Sequence, residues 1–152
     1  MKTNTNLKVK PQNFTCTITA KTTARNAVNA INHVNLWWAK NYEGKSEKLN
    51  DMFTVRFGDT FVTFKLTEVV PNKKIMWLVT NCYLPWLNNK TEWTGTECVF
   101  DISTKNDLTT IHFTHIGLVP EVECYDACIT GWTGHIKGSL LNLVTTGKGQ
   151  PE

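Results

Sequence analysis

From Phe14 onward the chain switches between stretches in which every second residue is apolar and stretches in which apolar residues recur every third or fourth position. That change of period marks its elements. Phe14 to Ala20 alternates and is rich in threonine, which predicts a first strand. Thr22 or Thr23 can cap a short helix over Ala24 to Asn32, and a second short helix over Val34 to Ala39 carries Trp37 and Trp38. Tyr42 to Lys45 reads as a turn or short strand. From Met52 to Leu118 the period is two, predicting strands over 52–57, 60–70, 74–83, 91–103 and 107–118. The breaks at Gly58-Asp59, Pro71-Asn72, Leu87 to Lys90 and Lys105 to Asp107 are short, so neighbouring strands run antiparallel.

One face of this sheet is apolar. Val62, Phe64 and Leu66 share it, as do Cys98, Phe100 and Ile102, and Ile111, Phe113 and His115, while Lys65, Glu97, Asp101 and His112 lie on the other. In the 74–83 strand, Ile75, Trp77 and Val79 compete with Met76 and Leu78 for the inside, and alternation alone leaves the choice open.

The last segment, Pro120 to Gly149, predicts one helix of about twenty-five residues, opened by Pro120 with Glu121 and Glu123 in its first turn and closed by Gly147, Gly149 and Pro151. At about 100° per residue, Val122, Tyr125, Ile129, Trp132, Ile136, Leu140, Leu143 and Val144 form one apolar stripe. Gly131, Gly134 and Gly138 cluster opposite, each costing up to about 1 kcal/mol relative to alanine. Such a helix needs burial of its apolar face against the sheet to persist. The result is an α+β helix-grip arrangement: a curved antiparallel sheet of six to seven strands around a long terminal helix, with two short helices after the first strand. Where sheet and helix diverge, a cavity is expected.

Composition sharpens this picture. The 152 residues suit one domain over 13–152 after a flexible, polar tail at 1–12. A net charge of +3 from scattered basic residues gives no footprint for nucleic acid. The absence of an apolar leader or an eighteen-residue apolar run predicts a cytoplasmic protein with no membrane span. Five cysteines in a reducing compartment read as free thiols rather than a disulfide framework. Cys124 and Cys128 lie one turn apart, but His135 falls roughly 10 Å further along the axis, too far to share a metal ion. No metal or cofactor is expected. Six tryptophans are more than such a domain needs for packing alone and favour a lined cavity.

Three runs carry a resemblance: Asn35-Leu36-Trp37-Trp38, the strand end Phe113-Thr114-His115-Ile116-Gly117-Leu118, and the helix run from Trp132 through Ser139-Leu140 to Gly147-Lys148-Gly149. With the order of elements, they make the chain from Phe14 onward resemble the START-like, or SRPBCC, superfamily. Within it the chain looks like bacterial proteins similar to the C-terminal domain of the activator of the heat-shock-protein-ninety ATPase. The resemblance implies a helix-grip fold whose cavity takes hydrophobic ligands and, in some branches, supports catalysis. It also implies a chaperone as a partner, although the separate chaperone-binding domain of the eukaryotic activator has no counterpart in this sequence.

The residues expected to face the cavity are His115, Trp132, Tyr125, Trp37, Phe100, Phe113, Phe64, Trp77 and Glu68. His115 shares a strand face with Ile111 and Phe113, so it could orient a polar group of a ligand or sit as a satisfied core histidine. Glu68 shares the parity of Phe64 and Leu66 and is its most plausible acid partner. The expected function is binding of a small hydrophobic or amphipathic molecule between sheet and terminal helix. The alternatives are an enzyme of cyclase, hydrolase or dehydratase type in the same cavity and a chaperone-associated, stress-response interaction domain. The glycine face permits close approach of a second protomer, so a homodimer is a further expectation.

Overall fold

The computed structural model describes residues 12–152, so all of the expected tail but Gln12 lies outside the described residues. Seven strands form one antiparallel sheet in the order β1-β7-β6-β5-β4-β3-β2: β1 (Phe14–Ala20), β2 (Asn41–Gly44), β3 (Met52–Phe57), β4 (Thr60–Val70), β5 (Lys74–Tyr83), β6 (Glu97–Lys105) and β7 (Leu108–Ile116). Between β1 and β2 the chain crosses from one edge of the sheet to the other through α1 (Ala24–Asn32) and α2 (Val34–Trp37). Thr23 caps α1, its hydroxyl accepting the Asn26 N–H at 3.0 Å.

Register puts the large apolar side chains in adjoining rows. Phe53 pairs with Phe64, Leu66 with Trp77, Phe100 with Phe113, and Ile18 with Ile111. The open choice on β5 falls to Ile75, Trp77 and Val79, all buried. Two register shifts in the β4–β5 pairing, at Thr63/Phe64 and Leu66/Glu68, interrupt strict alternation.

Two predicted strand boundaries are corrected. The strand expected from 91 begins at Glu97, because Thr91 to Thr96 turns back on itself: the Thr94 N–H meets the Thr91 carbonyl at 3.0 Å, the Thr96 N–H meets the Trp93 carbonyl at 2.9 Å, and Gly95 takes φ +90°. The last strand stops at Ile116, where Gly117 takes φ +102°.

The terminal helix starts at Tyr125 rather than Pro120 and runs as α3 (Tyr125–Thr133), a π segment (Gly134–Leu140) and α4 (Leu141–Thr146). Its late start has an external cause. The Glu92 carboxylate reaches across from the β5–β6 loop and accepts the N–H groups of Glu123 and Cys124 at 2.9 and 3.1 Å, capping the helix from outside. The Glu123 carboxylate returns the contact, accepting the Asn88 and Asn89 N–H groups at 2.9–3.1 Å. These bonds hold its pKa below the usual carboxylate range.

The buried column on this helix is Cys124, Cys128, Trp132, Ile136, Leu140 and Val144, a spacing of four throughout. On a pure α-helix each such step drifts about 40° around the axis. The wider turns of the π segment counter that drift and keep the column on the sheet. Gly147, at φ +84°, closes the helix, its N–H bonding to the Leu143 carbonyl at 2.9 Å. The chain end then folds back. Ser139 donates to the Trp37 carbonyl at 2.6 Å and accepts the Gln150 N–H at 2.7 Å, while Lys40 and Trp38 exchange backbone bonds with Glu152 at 2.8 and 2.9 Å. Gly149 allows this approach, since a Cβ there would collide with the Leu36 carbonyl oxygen.

Candidate functional site

Sheet and helix are joined by a continuous cluster of aromatic rings. Trp38 lies 6.2 Å from Trp77 in a parallel stack and 4.8 Å from Trp132, which in turn lies 4.6 Å from Phe113. Trp77 is flanked by Phe53, Phe64 and Phe100 at 4.7–5.3 Å. Trp37 packs edge-on against Phe100, and its indole N–H bonds to the Ile31 carbonyl at 3.2 Å. Among the described residues the Trp77 indole N–H has no hydrogen-bond partner, a deficit that costs about 1–3 kcal/mol.

His115 lies fully buried within this cluster. The Trp132 indole N–H donates to its Nδ1 at 3.0 Å. An indole nitrogen can only donate, so the His115 proton sits on Nε2 and is given to Thr96 Oγ1 at 2.9 Å. Thr96 in turn donates to the Trp93 carbonyl at 2.6 Å. The chain of bonds leaves no lone donor, and burial pushes the imidazole pKa down to about 3. His115 is therefore a neutral strut holding Trp132, Thr96 and the Trp93 turn in one arrangement.

The space left by the cluster is a cavity of about 220 Å³ along α3, in the N-terminal half of the terminal helix. The helix contributes Ala127, Cys128, Gly131, Trp132 and His135, and the β5–β6 loop contributes Leu84, Trp86 and Trp93. Phe57, Thr60 and Val62 form the sheet wall, with Trp38 at the base of the helix-grip. Trp93 stacks nearly parallel to Trp132, and Trp86, 52 % exposed, stands at the mouth. His135 is the single histidine in the wall. It makes no hydrogen bond among the described residues, and burial lowers its pKa against the opposing pull of Glu152.

Of the nine residues expected at the cavity, Trp132 borders it. Trp37, Phe64, Trp77, Phe100, Phe113 and His115 sit in the packed cluster behind it. Tyr125 is half-buried at the start of α3. Glu68 lies past the second β4 register shift, where its carboxylate pairs with Lys74 at 3.3 Å, on the outer part of the sheet. Leu84, Trp86, Trp93 and His135 are cavity residues that strand alternation and the apolar helix stripe do not single out. Trp93 faces inward because it belongs to a turn and not to a strand. The free-thiol reading of Cys124 and Cys128 is also corrected: one helical turn brings their Cα atoms to 5.6 Å, and they are bonded as a disulfide. Among the described residues no group of three His, Cys, Asp or Glu side chains could hold a metal ion, and no helix is long and apolar enough to cross a membrane.

No family model matches the sequence, and no curated protein matches it. Solved structures do. The Aha1 dimer from Colwellia psychrerythraea is similar with a TM-score of 0.74 and 25% identity, over 91% of this chain and 99% of that one. This is a START-like, or SRPBCC, fold. A Staphylococcus saprophyticus protein matches at TM-score 0.69 with 11% identity over 91% of this chain and 96% of its own. One from Mesorhizobium loti matches at 0.64 with 13% identity over 86% and 96%. At these lower identities the likeness is one of fold alone. In the START-like chain described here, the helix-grip cavity is the small aromatic one along α3.

The His115 strut predicts a specific pH dependence. The unfolded chain titrates this imidazole near pH 6.5 and the folded chain near 3. Between those values the unfolded state carries the extra proton, so the contribution is complete above about 6.5 and is lost as pH falls. At pH 4 the loss reaches roughly 3 kcal/mol. His115→Gln keeps an acceptor for Trp132 and a donor for Thr96 without titrating there. Urea melts at pH 7.5 and 4 should show a smaller acid loss in this variant than in the parent, and equal losses would refute the assignment.

Proposed function

We propose that this START-like chain binds a small apolar or amphipathic molecule with a planar aromatic part in the cavity along α3. The observation that carries this reading is the wall itself: Trp38, Phe57, Trp86, Trp93 and Trp132 surround one space of about 220 Å³. Aromatic walls favour flat guests, since offset stacking adds about 0.5–1.5 kcal/mol per ring pair beyond simple burial. The volume lies below the range of about 300–1,000 Å³ usual for drug-sized ligands, which suits a molecule of one or two rings. His135 supplies the polar contact, its neutral imidazole able to give or accept one hydrogen bond at the wall. A binding role is supported over the enzyme alternative because, among the described residues, the cavity wall brings no carboxylate or second histidine to His135, and Glu152 acts on it from outside that wall.

The Colwellia protein is described as a dimer, and on this chain a Cβ added at Gly131, Gly134 or Gly138 would meet nothing within 4 Å. A second copy of this chain on that open helix face is the partner these observations support. Light scattering at two concentrations should give twice the mass of the 17.3 kDa chain, and a constant single-chain mass would remove the dimer.

Thermal-shift measurements with indole, naphthalene and quinoline compounds test the cavity reading, since a ligand of the folded state raises the melting temperature by mass action. Ala127→Phe, at an exposed helix position bordering the mouth, should abolish the shift while leaving the unliganded melting temperature within about 2 °C. No shift with any compound, or an undiminished shift in the variant, would contradict the site.

A further inference from the structure

The first turn of α3 places sulfur chemistry against the cavity. Cys128 stands in its wall, and Cys124, 1 % exposed, accepts the Trp93 indole N–H on its sulfur at 3.3 Å. The two are bonded to each other, with a Cα separation that a disulfide spans without backbone movement. The other three cysteines, Cys16, Cys82 and Cys98, are buried thiols. Cys16 and Cys98 lie outside the cavity wall, and burial pushes both thiols up. Cys128, by contrast, borders a space that opens to solvent beside Trp86.

We propose that Cys124 and Cys128 are a thiol–disulfide pair that controls access to the cavity, with small disulfides of the oxidised low-molecular-weight-thiol class as the oxidant. This rests on the cavity reading above. Starting from the reduced chain, the Cys128 thiol gives up its proton and the thiolate attacks one sulfur of the small disulfide RSSR. A Cys128–S–S–R bond forms and RS⁻ leaves. The Cys124 thiolate then attacks the Cys128 sulfur, closing the intramolecular bond and releasing a second RS⁻. The two protons lost by the cysteines convert both leaving groups to RSH. The protein loses two electrons and the small disulfide gains them, and excess RSH runs the same steps in reverse.

The effect on the cavity is steric. Bonded sulfurs lie about 2.05 Å apart, whereas unbonded heavy atoms need on the order of 3.5–4 Å. Reduction therefore drives the pair apart. Cys124 is boxed in by Trp93 against its sulfur and by Glu92 on its N–H at 3.1 Å. Cys128 has open space beside it, so its sulfur moves into the cavity and narrows it. The oxidised form is the open one. By linkage, a molecule seated in the cavity opposes reduction to the same degree that reduction weakens its binding.

The full chain is equilibrated in reduced or oxidised glutathione, its free thiols are alkylated in denaturant and counted by mass spectrometry, and the two-ring fluorophore 2-naphthol serves as the cavity probe. In the oxidised buffer three of the five cysteines should alkylate, with the bond mapped to Cys124 and Cys128, and in the reduced buffer all five. Probe Kd should weaken several-fold on reduction, and a C124S/C128S double variant should give one Kd in both buffers. Five alkylated thiols in the oxidised buffer, or a bond to Cys16, Cys82 or Cys98, overturns the pair. A bond that forms with no change in probe Kd overturns its control of access. Should the probe bind neither state, the cavity reading falls and access control with it, while the thiol count still decides the pair.

Discussion

Contact between Trp38 and Trp132, with ring centroids 4.8 Å apart, is the joint on which this structure depends. Trp38 follows the second short helix and stacks on Trp77 of β5, while Trp132 projects from α3 and packs on Phe113 of β7. One pair of indoles thus links both short-helix and long-helix layers to two strands of the sheet. Each large aromatic buries on the order of 150–250 Å². Burial on that scale offsets the weak intrinsic propensity of a helix that carries Gly131, Gly134 and Gly138.

That joint also decides where empty space can exist. Between helix and sheet the rings of Trp37, Trp77, Phe64, Phe100 and Phe113 close the interior, and the His115 strut fixes Trp132 against them. A gap survives where the β5–β6 loop lies over α3. There the Glu92 and Glu123 carboxylates clasp loop and helix together through backbone N–H groups. The cavity is therefore bounded by an aromatic floor and by a loop held through exposed charge-assisted hydrogen bonds.

Most of the architecture was legible because it rests on period and punctuation. β1, β3, β4, β5 and α1 fall where alternation, threonine caps and Gly/Asn turns place them. What escaped was long-range. The start of α3 depends on Glu92, more than thirty residues earlier in the chain, and no local signal at Pro120 reveals it. The strand expected over 91–103 runs through what is a turn, so alternation hides the place of Trp93 against Trp132. Alternation correctly put His115 on the inner face, but it cannot tell a side chain that borders a void from one packed behind it. The site residues divide on that distinction. Trp132 meets the cavity, while six of its expected companions form the floor. Glu68 was assigned by a parity that the β4 register shift breaks. Cys124 and Cys128 were recognised as neighbours on one helix, and composition then argued for thiols where local geometry made a bond.

The central claim, an aromatic floor with a cavity beside it along α3, is tested most directly by fluorine NMR of protein carrying 5-fluorotryptophan at its six tryptophan positions. On titration with a planar aromatic guest, the resonances of Trp86, Trp93, Trp132 and Trp38 should move most, with Trp37 and Trp77 shifting least. Shifts centred on Trp37 and Trp77, or no shift at any of the six, would contradict it.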